Sequence, residues 1–203
     1  MKTDKLIQML ADDLKPVKRK HPLRQAALYL AAALAFFAAM VVLSTSFLAG
    51  AHIPYYSVEI FMILSVFVAS VYAVLRASIP GTDSKILYIP VALFVAWGVM
   101  LAYRFFTSGA VIHEHGHSGC VTDILLFSVL PLLLLLKIVK SNAPVNTAFT
   151  FFVMLVGILS LAAGATQYLC PDESAFHLLS EHWLSVLLAS LAGLALGRKI
   201  LRW

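Results

Sequence analysis

The chain has 203 residues, of which 61% are hydrophobic and only 12% are charged, with a net charge of +5. Soluble domains are about 45–50% apolar and about 25% charged, so this composition and a mean hydropathy of +0.91 exclude an ordinary soluble domain. They predict a membrane protein, and the modest basic excess gives no indication of direct nucleic-acid binding.

The first predicted element is a short amphipathic helix in residues 3–17. Thr3 is a typical N-cap residue and Pro16 ends the helix. Its apolar stripe consists of Leu6, Ile7, Leu10 and Leu14. No soluble domain follows against which this stripe could pack, so the helix either lies on the bilayer or binds a partner's groove. We expect residues 1–24 to form a cytoplasmic head with a basic anchor, followed by a membrane domain in residues 25–203.

Six apolar stretches follow the head. A membrane-spanning helix needs about 20 apolar residues, and backbone groups in lipid must be hydrogen-bonded internally. The fold class is therefore predicted to be all-α, a polytopic bundle of six transmembrane helices. The predicted spans are residues 25–49, 57–78, 86–107, 121–139, 146–168 and 177–197.

The basic residues predict the orientation of these spans. With six spans both termini lie on one side, and that side carries fourteen of the fifteen Lys and Arg residues: Lys2, Lys5, Lys15, Lys18, Arg19, Lys20, Arg24, Arg76, Lys85, Lys137, Lys140, Arg198, Lys199 and Arg202. Only Arg104 is left near the other face. The positive-inside rule places both termini in the cytoplasm, which leaves the cysteines and most histidines facing outward.

Cys120 and Cys170 are the only cysteines. They flank spans four and five symmetrically, so a helical hairpin folded at the short inner turn would bring both thiols to the same outer level. In an oxidising compartment such neighbours can form a structural or regulatory disulfide; two unrelated buried small residues are the alternative. A disulfide oxidoreductase is not indicated, because neither loop holds a Cys-x-x-Cys pair.

The histidines predict an outer metal site. His113, His115 and His117 alternate along "VIHEHGHSGC", so an extended loop would put all three on one face. His177 and His182 lie with Glu181 at the start of span six. With Cys120 or Cys170 they could close a three- or four-ligand site for Zn²⁺ or Cu²⁺. The alternative is a solvated loop whose histidines only sit at the interface.

No residue set predicts an enzyme, since the chain shows no plausible catalytic triad, phosphate loop or paired intramembrane carboxylates. The competing function is a small inner-membrane metal-binding or transport protein that uses the outer His and Cys residues. Gly193 and Gly197 in span six are compatible with helix dimerisation and equally with close packing inside one bundle.

Taken together, the chain resembles the NrsF-like membrane anti-sigma factors of proteobacteria. The resemblance rests on "MKTDKLIQMLADDLKPV", the six spans, one outward cysteine in each of two loops, "CPDESAFHLLSEHW" and "GRKILRW". It implies an inner-membrane protein that sequesters an extracytoplasmic-function sigma factor through the head. It also implies that Cys120 and Cys170 sense metal or oxidative stress. No cofactor is required by this function, and Zn²⁺ or another soft divalent metal is a candidate signal.

Overall fold

A computed structural model describes residues 21–48, 57–79, 81–108, 119–142, 144–170 and 172–201. Six helices in this part of the chain are long and apolar enough to cross a membrane. They are α1 (Pro22–Leu48), α2 (Ser57–Ala77), α3 (Tyr88–Ser108, preceded by a 3₁₀ turn at Ser84–Leu87), α4 (Cys120–Lys140), α5 (Thr147–Gln167) and α6 (Ala175–Ile200). The predicted all-α fold with six transmembrane helices is confirmed. The head in residues 3–17 lies outside the described residues.

The helices begin where the chain supplies suitable caps. Pro22 opens α1, at the position where a missing N–H costs nothing. Asp83 accepts a hydrogen bond from Lys85 N at 2.9 Å before the 3₁₀ turn. Asn146 accepts one from Phe149 N at 3.3 Å at the start of α5. These features account for where α1, the 3₁₀ turn before α3, and α5 begin.

Helix α5 is the centre of the bundle. Every residue from Thr150 to Gln167 is buried, and the helix packs against α2, α4 and α6. Small residues permit this, since a β-carbon at Gly157 would overlap Ser70 of α2, and one at Gly193 of α6 would overlap Leu155. A β-carbon at Gly197 would lie 2.8 Å from Phe151 Cβ. Gly193 and Gly197 therefore serve packing within the bundle.

The antiparallel helices give the bundle two chemically different ends. At the cysteine end, α2, α4 and α6 begin and α3 and α5 finish; it carries Cys120 and Cys170. At the Asn142 end, α1, α3 and α5 begin and α2, α4 and α6 finish. There the buried Asn142 side chain donates to Gln25 Oε1 at 3.3 Å and to Ser78 Oγ at 3.5 Å. These bonds join the α4–α5 turn to the start of α1.

Candidate functional site

Two thiols meet at the cysteine end. Cys120 is the first residue of α4, and Cys170 lies just beyond the last residue of α5. Their Sγ atoms are 3.4 Å apart, both thiols are free, and each residue is only 4% exposed. The two arms of the α4–α5 hairpin thus bring the two cysteines of the chain into direct contact.

His177 lies against the second thiol. Its Nε2 is 3.2 Å from Cys170 Sγ, and its Nδ1 is 3.8 Å from Asp172 Oδ2. The loop that joins α5 to α6 fixes this geometry. Asp172 Oδ1 accepts from Ser174 N at 2.8 Å, and Ser174 Oγ accepts from His177 N at 3.2 Å as the cap of α6. The imidazole is therefore positioned by its contact with Cys170 and by its hydrogen-bonded backbone, with the Asp172 carboxylate beside its other ring nitrogen.

His182 reaches the same place because α6 is locally wider than an α-helix. Residues five apart in an α-helix are offset by about 140° around the axis, so His182 would face away from His177. The segment Leu178–Trp183 is instead π-helical, with Leu184 N donating to Leu179 O. As a result the two imidazole centroids lie 5.3 Å apart. Such π turns recur at functional sites.

The hydrogen bonds of His182 define its tautomer. Nδ1 lies 3.1 Å from the carbonyl oxygen of Ala163. A carbonyl can only accept, so Nδ1 carries the proton and Nε2 presents a lone pair. The residue is fully buried, and Nε2 forms no well-shaped hydrogen bond with any residue that the structure describes. A buried lone pair of this kind is open to a further partner.

The four side chains form one compact group, which we call the thiol–imidazole cluster: Cys120, Cys170, His177 and His182. One donor atom from each lies within 4.8 Å of the donor atoms of the others, and all four residues are buried. The pKa of the Cys170 thiol lies below its usual range, first because Cys120 hydrogen-bonds to it and also because His177 does; burial opposes this shift. The cluster therefore favours a thiolate, the form in which cysteine binds metal and reacts with oxidants.

An ion pair lies at the same end of the bundle. Glu59 in the first turn of α2 is 2% exposed, and Arg104 Nη1 donates to its Oε2 at 2.9 Å. Its Oε1 accepts from Gln167 Nε2 at 2.8 Å and from Trp97 Nε1 at 3.3 Å. Arg104 Nη2 also reaches the Glu173 carbonyl at 3.5 Å. The carboxylate thus joins α2, α3 and α5, and the arginine contacts the loop that follows Cys170.

The structure describes four of the predicted site residues and leaves the other seven outside its described residues. His177 and His182 lie with Cys120 and Cys170. The loop histidines His113, His115 and His117 are outside the described residues, and so are the four stripe residues of the head, Leu6, Ile7, Leu10 and Leu14.

Sequence reasoning missed the roles of Glu59 and Asp172. The sequence alone assigns neither residue a role, whereas Glu59 is buried in the bundle. Charged residues near the ends of two different spans were the available signal: Glu59 in the first turn of α2 and Arg104 four residues before the end of α3.

These features define the class of protein: an all-α, multi-pass membrane protein with a buried thiol–imidazole cluster at one end. The chain belongs to the NrsF family, described as negative regulator of sigma F, whose sequence profile matches residues 10–203. No curated protein and no solved structure matches the chain significantly. The predicted family is confirmed. Negative regulation of a sigma factor is a regulatory, non-enzymatic role. The family therefore favours an anti-sigma factor over a transport protein.

Proposed function

We propose that this protein is a membrane-bound anti-sigma factor of the bacterial inner membrane. It holds an extracytoplasmic-function sigma factor through its head and releases it when a metal or an oxidant acts on Cys120 and Cys170. The family supports a sigma-factor partner, and six apolar helices support a multi-pass membrane protein. The observation that carries the release step is the contact of the two thiols at the open end of one helical hairpin.

The distribution of charge supports a cytoplasmic Asn142 end. Basic residues lie in the last turns of α2, α4 and α6: Arg76, Lys137, Lys140, Arg198 and Lys199. By the positive-inside rule these turns face the cytoplasm. α1, which follows the head in the chain, begins at that same end. We therefore propose that the head lies where a cytoplasmic sigma factor is accessible and that the thiols face the opposite compartment.

Both kinds of signal have a chemical route at the thiol pair. Oxidation joins the two Sγ atoms and transfers two electrons and two protons to an oxidant of the peroxide class. A soft metal displaces the thiol protons and is bound by the two sulfurs. A disulfide brings the two sulfurs closer than their present 3.4 Å, and a bound metal holds them together. Either event therefore changes how firmly the start of α4 is tied to the end of α5.

The hairpin provides a route across the membrane. Helices move as rigid bodies, so a displacement of the helix ends at Cys120 and Cys170 also displaces the turn between α4 and α5. There Asn142 is hydrogen-bonded to Gln25 at the start of α1, just after the head. A change from mostly held to mostly released requires about 5.5 kcal/mol of differential binding, which disulfide formation or thiolate coordination can provide.

Serine substitutions at the two cysteines test this proposal in cells that carry a reporter for the sigma-dependent promoter. Cys120→Ser and Cys170→Ser should each abolish the response to Cd²⁺ or peroxide, and the double variant should match either single one. The reason is that both signals need two sulfurs, and the chain has only two cysteines. Additive or opposite effects of the single substitutions would show that the thiols act separately, against the proposal.

A matched pair of head variants tests whether the apolar stripe of the head binds the sigma factor. Leu10→Glu places a charge in the apolar stripe and should raise the reporter without any signal, because loss of one buried leucine anchor costs a few kcal/mol and about 2.7 kcal/mol is a hundredfold in affinity. Gln8→Glu places the same charge on the polar face of the helix and should leave the promoter repressed.

A further inference from the structure

We infer that Cys120, Cys170, His177 and His182 form a preformed four-ligand site for a tetrahedral d¹⁰ divalent cation such as Zn²⁺ or Cd²⁺. The cation would be the ligand through which the proposed sensor is regulated, so the biological meaning of the site rests on the proposed function. The site itself rests only on the geometry of the thiol–imidazole cluster.

Two donor distances are within a few tenths of an ångström of those in a tetrahedral site. Zn–S bonds of about 2.3 Å and Zn–N bonds of about 2.0–2.1 Å place neighbouring donors about 3.3–3.8 Å apart. The Cys120–Cys170 sulfurs are 3.4 Å apart, and Cys170 Sγ is 3.2 Å from His177 Nε2. Since no donor pair exceeds 4.8 Å, small side-chain rotations suffice to enclose one cation.

His182 is oriented as ligating histidines usually are, and His177 has a carboxylate near its outer ring nitrogen. A ligating histidine normally donates its other ring N–H to a carboxylate or a backbone carbonyl. His182 Nδ1 has the Ala163 carbonyl at 3.1 Å, and His177 Nδ1 has the Asp172 carboxylate at 3.8 Å. In both rings Nε2 is thereby left for the centre of the cluster.

His182 supplies an independent sign of a missing ligand. The residue is fully buried, and its Nε2 has no well-formed hydrogen bond among the described residues. An unsatisfied buried polar atom costs about 1–3 kcal/mol. A cation at the centre of the cluster would bind this lone pair and remove the cost.

The donor set selects the class of cation. Two sulfurs and two nitrogens suit zinc and related soft metals, whereas Mg²⁺ and Ca²⁺ require oxygen ligands. Four protein ligands also leave no open coordination position, which distinguishes a structural site from a catalytic one. The ligands come from α4, from the α5–α6 loop and from the π-helical start of α6, so one bound cation would tie these three segments together.

Metal titration of the purified full-length protein, in detergent and with the thiols kept reduced, tests the site. We expect one Co²⁺ per chain with the visible absorption of tetrahedral cobalt and a thiolate charge-transfer band, and displacement of Co²⁺ by Zn²⁺ or Cd²⁺. His177→Ala and His182→Ala should each weaken binding by more than a hundredfold. Asp172→Asn keeps the oxygen that caps Ser174 and should weaken binding by about 10- to 100-fold, as loss of an orienting partner does.

One substitution separates a ligand from a merely structural histidine. His182→Cys should restore the affinity lost in His182→Ala and add intensity to the thiolate charge-transfer band, because a third sulfur now binds the cation. The triple His113→Ala, His115→Ala, His117→Ala variant is the control and should keep both the affinity and the spectrum of the parent protein.

Three results would overturn the inference: no stoichiometric binding by the parent protein, undiminished binding in both His177→Ala and His182→Ala, or loss of the tetrahedral spectrum in the loop triple variant alone. Failure of the four-ligand metal site can be distinguished from failure of the proposed anti-sigma function. If the cysteine variants still lose their response in cells while the histidine variants bind metal normally, two thiols act as sensor without the histidines.

Discussion

At the scale of single residues, the Glu59 carboxylate depends on its neighbours for its burial. It lies in an apolar helix, is almost fully buried, and accepts hydrogen bonds from Arg104, Trp97 and Gln167. Burying a charge is tolerated only when it is paired and hydrogen-bonded. These bonds fix the beginning of α2 to α3 and α5 beside the thiol–imidazole cluster.

Removal of the arginine should therefore destabilise the bundle more than neutralisation of the glutamate. Arg104→Met leaves a buried carboxylate without its cation, and breaking such a pair typically costs about 3–5 kcal/mol; we expect the low end because Arg104 is 16% exposed. Glu59→Gln keeps an oxygen for Gln167 and Trp97 and leaves an arginine that reaches solvent. Unfolding in mixed micelles measures both variants, and an equal or reversed order would contradict this assignment.

The residue types of the site could be predicted, but the way in which Cys120, Cys170, His177 and His182 come together could not. Cys120 and Cys170 were predictable as neighbours because the hairpin arms are equal in length. The sequence places His182 near His177 in the chain but gives no geometry for the pair. An α-helical projection puts residues five apart on different faces, so it does not predict that the two rings meet. Only the π-helical segment Leu178–Trp183 brings both rings together. Its formation depends on packing, for example of Trp183 stacked on Phe94 of α3 at 5.1 Å, which periodicity does not encode.

At the scale of elements, the α4–α5 hairpin connects the thiol pair to the opposite end of the bundle. Its open end holds the two thiols, and its turn holds Asn142, which is 5% exposed and bonded to Gln25 and Ser78. α5 is buried along nearly its whole length, so it cannot move without moving its neighbours. The hairpin is thus joined to the rest of the bundle at both ends.

Asn142→Leu should separate ligand binding from its transmission. It removes the hydrogen bonds to Gln25 and Ser78, about 0.5–1.5 kcal/mol each, less than the roughly 5.5 kcal/mol that a full switch requires. We expect a weakened but not abolished reporter response, with metal affinity at the cluster unchanged. Ser141→Ala is the matched control, since that exposed hydroxyl bonds to Ile138 O of its own helix. A full response in Asn142→Leu would exclude this joint as the route.

At the scale of the whole molecule, the composition and spacing of the chain determine the fold. Six hydrophobic stretches separated by polar turns permit little other than six helices, and the spans were predicted to within about three residues at the described ends. The burial order of the helices was not predictable. α5 is almost equally apolar on all its faces, so its sequence shows no side that must face its neighbours. Its central position depends on small residues that allow close helix contacts, such as Gly193 of α6 against Leu155 of α5.

We propose that the state of the cysteine end controls sigma-factor binding by the head. The most direct test of this control is the affinity of the purified cognate sigma factor for the protein in lipid nanodiscs, with the cluster metal-free and then loaded with Cd²⁺. We expect loading to weaken sigma binding by about a hundredfold or more, equivalent to at least about 2.7 kcal/mol, and to have no effect in Cys120→Ser or Cys170→Ser. An unchanged affinity with Cd²⁺ bound at one ion per chain would contradict the account.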